Sequence, residues 1–275
     1  MSSPPSRLPI SAVIITRDAA AHLADVLAAL DFCDERLVLD SGSTDDTLVM
    51  ATTHGARVEQ QSFLGYGPQK CRAVALATHD WILAIDADEI LDDEARDAIR
   101  RLDLSDPHAC WALRRRTFIG SREVRHGAWR NDRVLRLFNR TTAGFKPLPV
   151  HEEVESGRRP SLLPGSLLHF SYIDSAAVLA RAVRYAPLKA SIMRRKGQRA
   201  QPWLMPFRGL AAFCSSYLVR GGWRDGAAGF VVALARVIDS TLPRALVLLD
   251  DPPPPPARPS SHGPEGSQDP FHVGR

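Results

Sequence analysis

Along the first 90 residues, apolar runs of strand length alternate with stretches in which apolar residues recur every three or four positions. ISAVIIT (10–16) is followed by Leu23, Val26, Leu27 and Leu30 on one helical face. RLVLD (36–40) precedes a segment carrying Leu48 and Met50, and WILAID (81–86) follows a third segment around Val74 and Leu76. The alternation predicts βαβαβ units and a mainly parallel, Rossmann-like α/β sheet covered on both faces. Each run ends in polar residues, and ligands on such sheets bind at the carboxyl ends of the strands.

From about residue 106 the pattern shifts to short strand-like pieces, CWALRRRTF, RVLRLF and LLHF, joined by Gly-, Pro- and Arg-rich connections. They predict an antiparallel extension. Residues 174–249 read as helices interrupted at Pro187, Pro202, Pro206 and Gly221-Gly222. The longest uncharged run there, Gly209 to Val219, falls well short of the roughly 18 apolar residues of a membrane span. The chain thus divides into a flexible start (1–8), a parallel half (9–105), an antiparallel half (106–173), a helical appendage (174–250) and a Pro-rich tail (251–275) too poor in apolar residues to order itself.

Composition, 44% hydrophobic and 24% charged over 275 residues, is that of a folded globular chain. The net charge of +4 conceals a polarity: residues 1–109 hold 9 Lys/Arg against 19 Asp/Glu, and residues 110–250 hold 24 against 9. A cation suits the first half and an anionic surface the second. Cys33, Cys71, Cys110 and Cys214 form no C-x-x-C pair, so no zinc or redox motif is signalled and a reduced, cytoplasmic chain is expected. The opening MSSPPSRLPISAVIIT lacks the basic n-region and long apolar core of a signal peptide.

The densest chemistry is in DWILAIDADEILDDE (80–94), where a strand runs into Asp86-Ala87-Asp88-Glu89. Alternation of side chains puts Asp86 and Asp88 on one side of an extended segment. Converging carboxylates repel unless a proton or a divalent cation intervenes, and oxygen ligands of this kind suit Mg²⁺ or Mn²⁺. The alternative is that both cap the following helix, DDEARDAIRRL. In VLDSGSTDDT, Asp40 closes a strand, and Ser43 with Asp46 has the spacing of a helix N-cap.

Taken together and in order, ISAVIITRDAAAHL, DERLVLDSGSTDDT, GYGPQK and DWILAIDADE resemble glycosyltransferase family 2, with its GT-A fold. GPQK, RVLRLFNR, VHEEV and YLVRGGWRDGAAGF are similar to the branch of lipopolysaccharide-core β-1,4-glucosyltransferases. The resemblance implies an inverting transfer of a hexose, glucose first, from a UDP-sugar to a lipopolysaccharide-core or related glycan acceptor. The parallel half then binds the nucleotide sugar and the antiparallel half the acceptor. It places Asp40 at the uracil, Thr16, Asp18, Lys70 and Asp86 around the nucleotide, and Asp88 with Asp86 on an Mg²⁺ or Mn²⁺ ion. The family's Asn-Glu after the first strand is replaced here by Asp18-Ala19, so that contact falls to Asp18.

Inversion needs a base on the acceptor side. VHEEV offers His151 and Glu152, with Glu152 the base and His151 at the acceptor; Asp132 in WRNDRVLRLF is the rival base. Arg125, Arg130, Arg133 and Arg136 crowd the same half and suit an anionic, phosphorylated acceptor, Arg130 and Arg133 foremost. The basic helical region, with Trp203, Phe207, Tyr217 and Trp223, predicts peripheral attachment to the cytoplasmic face of the inner membrane. Two other readings compete: a phosphohydrolase using the D-x-D aspartates, and a non-catalytic basic module binding membrane or nucleic acid. With aromatics at 7% and the carboxylates left unexplained by a binder, no nucleic-acid partner is expected.

Overall fold

The computed structural model describes residues 7–146 and 153–249. Strand β1 (Leu8–Thr16), helix α1 (Ala20–Ala29), β2 (Cys33–Asp40), α2 (Thr47–Thr53), β3 (Arg57–Gln60), α3 (Tyr66–Leu76) and β4 (Trp81–Asp86) follow in order. β1 pairs in parallel with β2 and β4, and β2 with β3, giving the order β3-β2-β1-β4. Edge strand β3 escapes the sequence pattern because its four residues, RVEQ, include one apolar side chain.

The period of two along these strands divides the core between the faces of the sheet. Ile10, Ala12, Ile14, Val38, Leu83 and Ile85 pack with Leu23, Val26 and Leu27 of α1 and with Ala51 of α2. Val13, Leu37, Leu39, Ile82 and Ala84 pack on the other face with Ala73 of α3. Strands buried on both sides read as the unbroken apolar runs seen in the sequence.

The second half continues the same sheet. After β5 (Glu89–Leu91) and α4 (Asp93–Arg100) come β6 (Cys110–Ile119), β7 (Arg122–Val124), β8 (Arg133–Asn139), β9 (Ala143–Phe145), β10 (Val154–Ser156) and β11 (Ser161–Tyr172). β8 is antiparallel to both β4 and β6, as the pattern predicts, whereas β11 lies parallel to β6 and antiparallel to β5. The difference arises because the chain returns, through the β9-β10 ribbon, to the end of the sheet at which β6 began, with Ser161 opposite Trp111.

Helices α5 (Ser175–Arg195), α6 (Met205–Cys214) and α7 (Gly226–Leu249) form the appendage, α6 running into a π-helical turn at Ser215–Val219. Pro187 does not interrupt α5. Its i−4 neighbour, Val183, is exposed, so water can take the hydrogen bond that proline cannot donate. Val178 and Ala182 of α5 pack with Ala228, Val232 and Ala235 of α7. Asp225, before α7, ties the appendage to the sheet by accepting from the backbone N–H of Arg125 (3.0 Å) and His126 (2.7 Å). Beside it only glycine fits at 229, because a Cβ there would meet the Gly222 carbonyl oxygen at 1.8 Å. No helix among the described residues is long and apolar enough to cross a membrane.

Candidate active site

The carboxyl ends of three adjacent parallel strands coincide: Thr16 of β1 stands beside Asp40 of β2, and Ile15 beside Asp86 of β4. There a cleft of about 1110 Å³ opens, walled by the β1–α1 segment (Arg17, Asp18, His22), floored by Lys70, Asp86, Asp88 and His169, and closed by α5.

Asp40 is buried, and its carboxylate accepts from Thr16 Oγ1 (2.9 Å), the backbone N–H of Gly42 (2.8 Å) and Ser43 (2.9 Å), and Ser43 Oγ. Burial alone would raise its pKa, but these hydrogen bonds outweigh it and hold the carboxyl below its usual value. Ser43 therefore organises the β2–α2 turn rather than capping α2. Asp18, at φ +49°, lines the cleft and accepts from the Thr44 N–H (2.7 Å), joining the first and second strand-end loops.

Asp92, not Asp86 or Asp88, caps α4, its Oδ1 accepting from the Ala95 N–H at 2.9 Å. The D-x-D carboxylates are thereby released and diverge in environment. Asp86 is clamped between Lys70 Nζ and Arg136 Nη2, each at 2.7 Å. Arg136 also reaches Glu89, and Arg115 reaches Glu89 at 3.5 Å and Asp132 at 2.7 Å. Three carboxylates thus mesh with three cations under the cleft floor. Burial would raise the Asp86 pKa, but Arg136 and Lys70 override it and hold the group ionised; Glu89, buried deeper and beside Asp86, is pushed up.

Asp88 is half-exposed to the cleft. It accepts from Ser171 Oγ at 2.5 Å and lies 3.6 Å from His169 Nε2. Burial lowers the His169 pKa to about 4, against the pull of Asp88, so the imidazole is neutral near pH 7. The Asp88 carboxylate is an oxygen donor that suits Mn²⁺ or Mg²⁺, and the neutral imidazole beside it offers a nitrogen donor that Mn²⁺ accepts more readily than Mg²⁺. No cluster of three or more acidic, His or Cys side chains suited to a metal occurs among the described residues. Substrate oxygens must complete such a shell.

Of the other residues singled out in the sequence, Arg133 lines the cleft, Arg130 is exposed away from it, and Asp132 is held by Arg115 outside the cleft lining. His151 and Glu152 lie outside the described residues, though their neighbour Glu153 lines the cleft. Sequence reasoning missed Glu89, Arg115, His169, Ser171 and Arg181. The one available signal was a histidine and a serine at alternate positions of an otherwise apolar strand, LLHFS.

The cleft at the reversal of strand order between β1 and β4, with two aspartates at its floor, defines an α/β enzyme binding its ligand at the strand ends. The profile of "Glycosyl transferase family 2" matches residues 11–158. The lipopolysaccharide core biosynthesis glycosyltransferase LpsC of Rhizobium meliloti is 30% identical over 249 residues, 88% of this chain and 92% of that protein. The uncharacterized glycosyltransferase RP128 of Rickettsia prowazekii is 28% identical over 81% of this chain and 80% of its own. Among solved structures, a glucosyl-3-phosphoglycerate synthase from Mycobacterium tuberculosis, in complex with Mn²⁺, UDP and glucosyl-3-phosphoglycerate, is 27% identical over 41% of this chain and 44% of that one, with a TM-score of 0.31. The chain belongs to glycosyl transferase family 2; it is a glycosyltransferase of GT-A fold. The phosphohydrolase and non-catalytic readings find no support in these similarities.

Proposed function

We propose that this enzyme transfers a hexose, glucose first, with inversion, from a UDP-sugar to a lipopolysaccharide-core or related anionic glycan. The observation that carries the reading is the pairing of half-exposed Asp88 with neutral His169 beside the clamped Asp86, on the floor of a cleft large enough for two substrates. The name of the Rhizobium relative, similar over most of both chains, supports the acceptor class.

In this reading Asp88 and His169 would hold the divalent cation, Mn²⁺ or Mg²⁺, which would supply charge neutralisation for the departing diphosphate. Asp86, fixed by Lys70 and Arg136, orients the nucleotide, with Thr16, Asp18 and Asp40 shaping the pocket for ribose and base. Asp40 spends its carboxylate on the loop that receives the uracil. Glu152 takes the proton from the acceptor hydroxyl, with Asp132 the alternative, and His151 and Arg133 contact the acceptor. The enzyme works on the cytoplasmic face of the inner membrane, attached peripherally through its helical appendage.

The test is to incubate the protein with radiolabelled UDP-glucose and Mn²⁺, and with a panel of other nucleotide sugars scored by protection against thermal unfolding. Slow hydrolysis of one UDP-hexose, lost in Asp88→Asn at unchanged unfolding midpoint, is expected. Protection by no UDP-sugar would overturn the donor assignment.

A further inference from the structure

The cleft wall formed by α5 carries a feature that the donor chemistry does not use. Arg181 and Arg184, three residues apart, share one helical face and both line the cleft, as does Arg133 of β8. Lys189, also on this wall, is neutralised by Asp239. Among the described residues no carboxylate pairs with Arg133, Arg181 or Arg184. Arg181 is positioned instead by aromatic rings, its guanidinium 5.4 Å from the centroid of Tyr172 and 5.5 Å from that of Tyr185. Tyr172 is itself fixed by parallel stacking on Trp129, 5.2 Å away.

Ring contacts orient a guanidinium without cancelling its charge, and of the five N–H donors of Arg181 those not spent on its hydrogen bond to Tyr172 can donate to a ligand. Two like charges at i,i+3 on one face repel one another, and an anion bound between them removes the conflict. The strand-end floor answers to a different demand: Lys70 and Arg136 there are saturated by Asp86 and Glu89. The cleft, at about 1110 Å³, exceeds the ~300–1000 Å³ usual for a single small ligand. There is therefore space on the α5 side beyond a first ligand at the strand ends.

We infer that Arg181 and Arg184, assisted by Arg133, form an anion subsite on α5 that holds a phosphate group of the acceptor while the donor occupies the strand ends. The inference rests on the proposed glycosyl transfer for the identity of the phosphate's carrier, not for the subsite itself. A phosphate bound there gains charge-assisted hydrogen bonds from guanidinium edges already in place.

Calorimetric titration of inorganic phosphate into the full-length protein, alone and saturated with UDP and Mn²⁺, tests this. Phosphate is expected to bind in both cases, at least about 10-fold more weakly in R181Q/R184Q, since each lost charged hydrogen bond corresponds to about an order of magnitude. UDP affinity should stay within a factor of two. R184Q alone, altering an exposed side chain, should weaken phosphate several-fold without disturbing the fold, and R181K/R184K should recover part of the loss. Two results overturn the subsite: phosphate binding that vanishes once UDP and Mn²⁺ are bound, or a loss of UDP affinity in R181Q/R184Q equal to that of phosphate, which would make the arginines readers of the donor diphosphate. Unchanged phosphate binding in R181Q/R184Q overturns it too. A protein that ignores UDP but still loses phosphate on R181Q/R184Q would refute the donor assignment and leave the subsite standing.

Discussion

Arg136 Nη2 lies 2.7 Å from Asp86 Oδ2 and also donates to Glu89, so a single buried guanidinium is shared by two carboxylates beneath the cleft. A buried ion pair contributes little net stability, yet removing one partner strands the other charge in a poorly solvated site. Arg136→Met should therefore cost about 3 kcal/mol or more in urea unfolding. Glu89→Gln leaves Arg136 paired to Asp86 and should cost distinctly less. Equal losses would show that shape, rather than charge, holds the floor together.

The acceptor base divides two candidates by their surroundings. Asp132 takes two hydrogen bonds from Arg115, at 2.7 and 2.8 Å, which tie it to β6, and it stands outside the cleft lining. Glu152→Gln should then lose about 10²- to 10⁴-fold in turnover with UDP–Mn²⁺ binding preserved, the range of general-base catalysis. Asp132→Asn should lose far less. A larger loss in Asp132→Asn, with donor binding intact, would exchange the two assignments.

Runs such as ISAVIIT and WILAID announce buried parallel strands because both of their faces meet helices, and the D-x-D lies at the end of one because strand ends are where side chains escape the core. β3 stayed hidden because an edge strand needs no apolar pattern, and the parallel setting of β11 because direction depends on the path of the intervening chain. Glu89, Arg115 and Arg136 form one cluster from β5, β6 and β8, and His169 reaches Asp88 from 81 positions further along the chain. No local spacing encodes a contact of that kind. The alternative role for Asp86 and Asp88, capping α4, fails for a local reason: DADEILDDE holds several acids, and only the residue directly preceding the helix, Asp92, can accept from its free N–H groups.

A pH response is written into the opposite end of the sheet. Glu35 accepts from Thr78 N–H (2.6 Å), Thr78 Oγ1 (2.7 Å), Arg57 and Ser11 Oγ. Burial would raise its pKa, but these bonds prevail and bring it from 4.5 down to about 2. A depressed carboxyl contributes stability that is present above its unfolded pKa and is lost as pH falls through the folded one. The contribution should be intact above pH 5 and should disappear between about pH 4.5 and 2, up to roughly 3 kcal/mol. Glu35→Gln should lower stability at pH 7 and flatten that part of the acid-unfolding profile. A profile unchanged by the substitution would remove Glu35 as its source.

The outer face of α6, with the turn that precedes it, presents apolar side chains to solvent. Trp203, Phe207 and Leu210, spaced four and three residues apart, are 67%, 66% and 63% exposed, and Leu218, Val219 and Trp223 in the turns that follow are exposed as well. Gly209 supplies the inner face, approaching Val237 and Thr241 of α7. Tyr217, by contrast, is half-buried against Phe213 and Phe230 and contributes no outward ring. Arg208, Arg220 and Arg224 border the patch in sequence, and basic residues near an anionic bilayer contribute about 1 kcal/mol each. An apolar face flanked by arginines matches a headgroup boundary with anionic lipid, the rings entering the interface and the guanidinium groups meeting phosphate. The protein should co-sediment with vesicles containing phosphatidylglycerol, less with neutral vesicles, and should be released by raised salt as screening shortens the reach of each charge. Trp203→Ala/Phe207→Ala should weaken binding at every salt concentration, whereas Arg208→Gln/Arg220→Gln/Arg224→Gln should chiefly remove the salt dependence. Binding indifferent to salt, lipid charge and both sets of substitutions would place the contact elsewhere on the molecule, and a protein that stays in the supernatant at low salt would have no such contact at all.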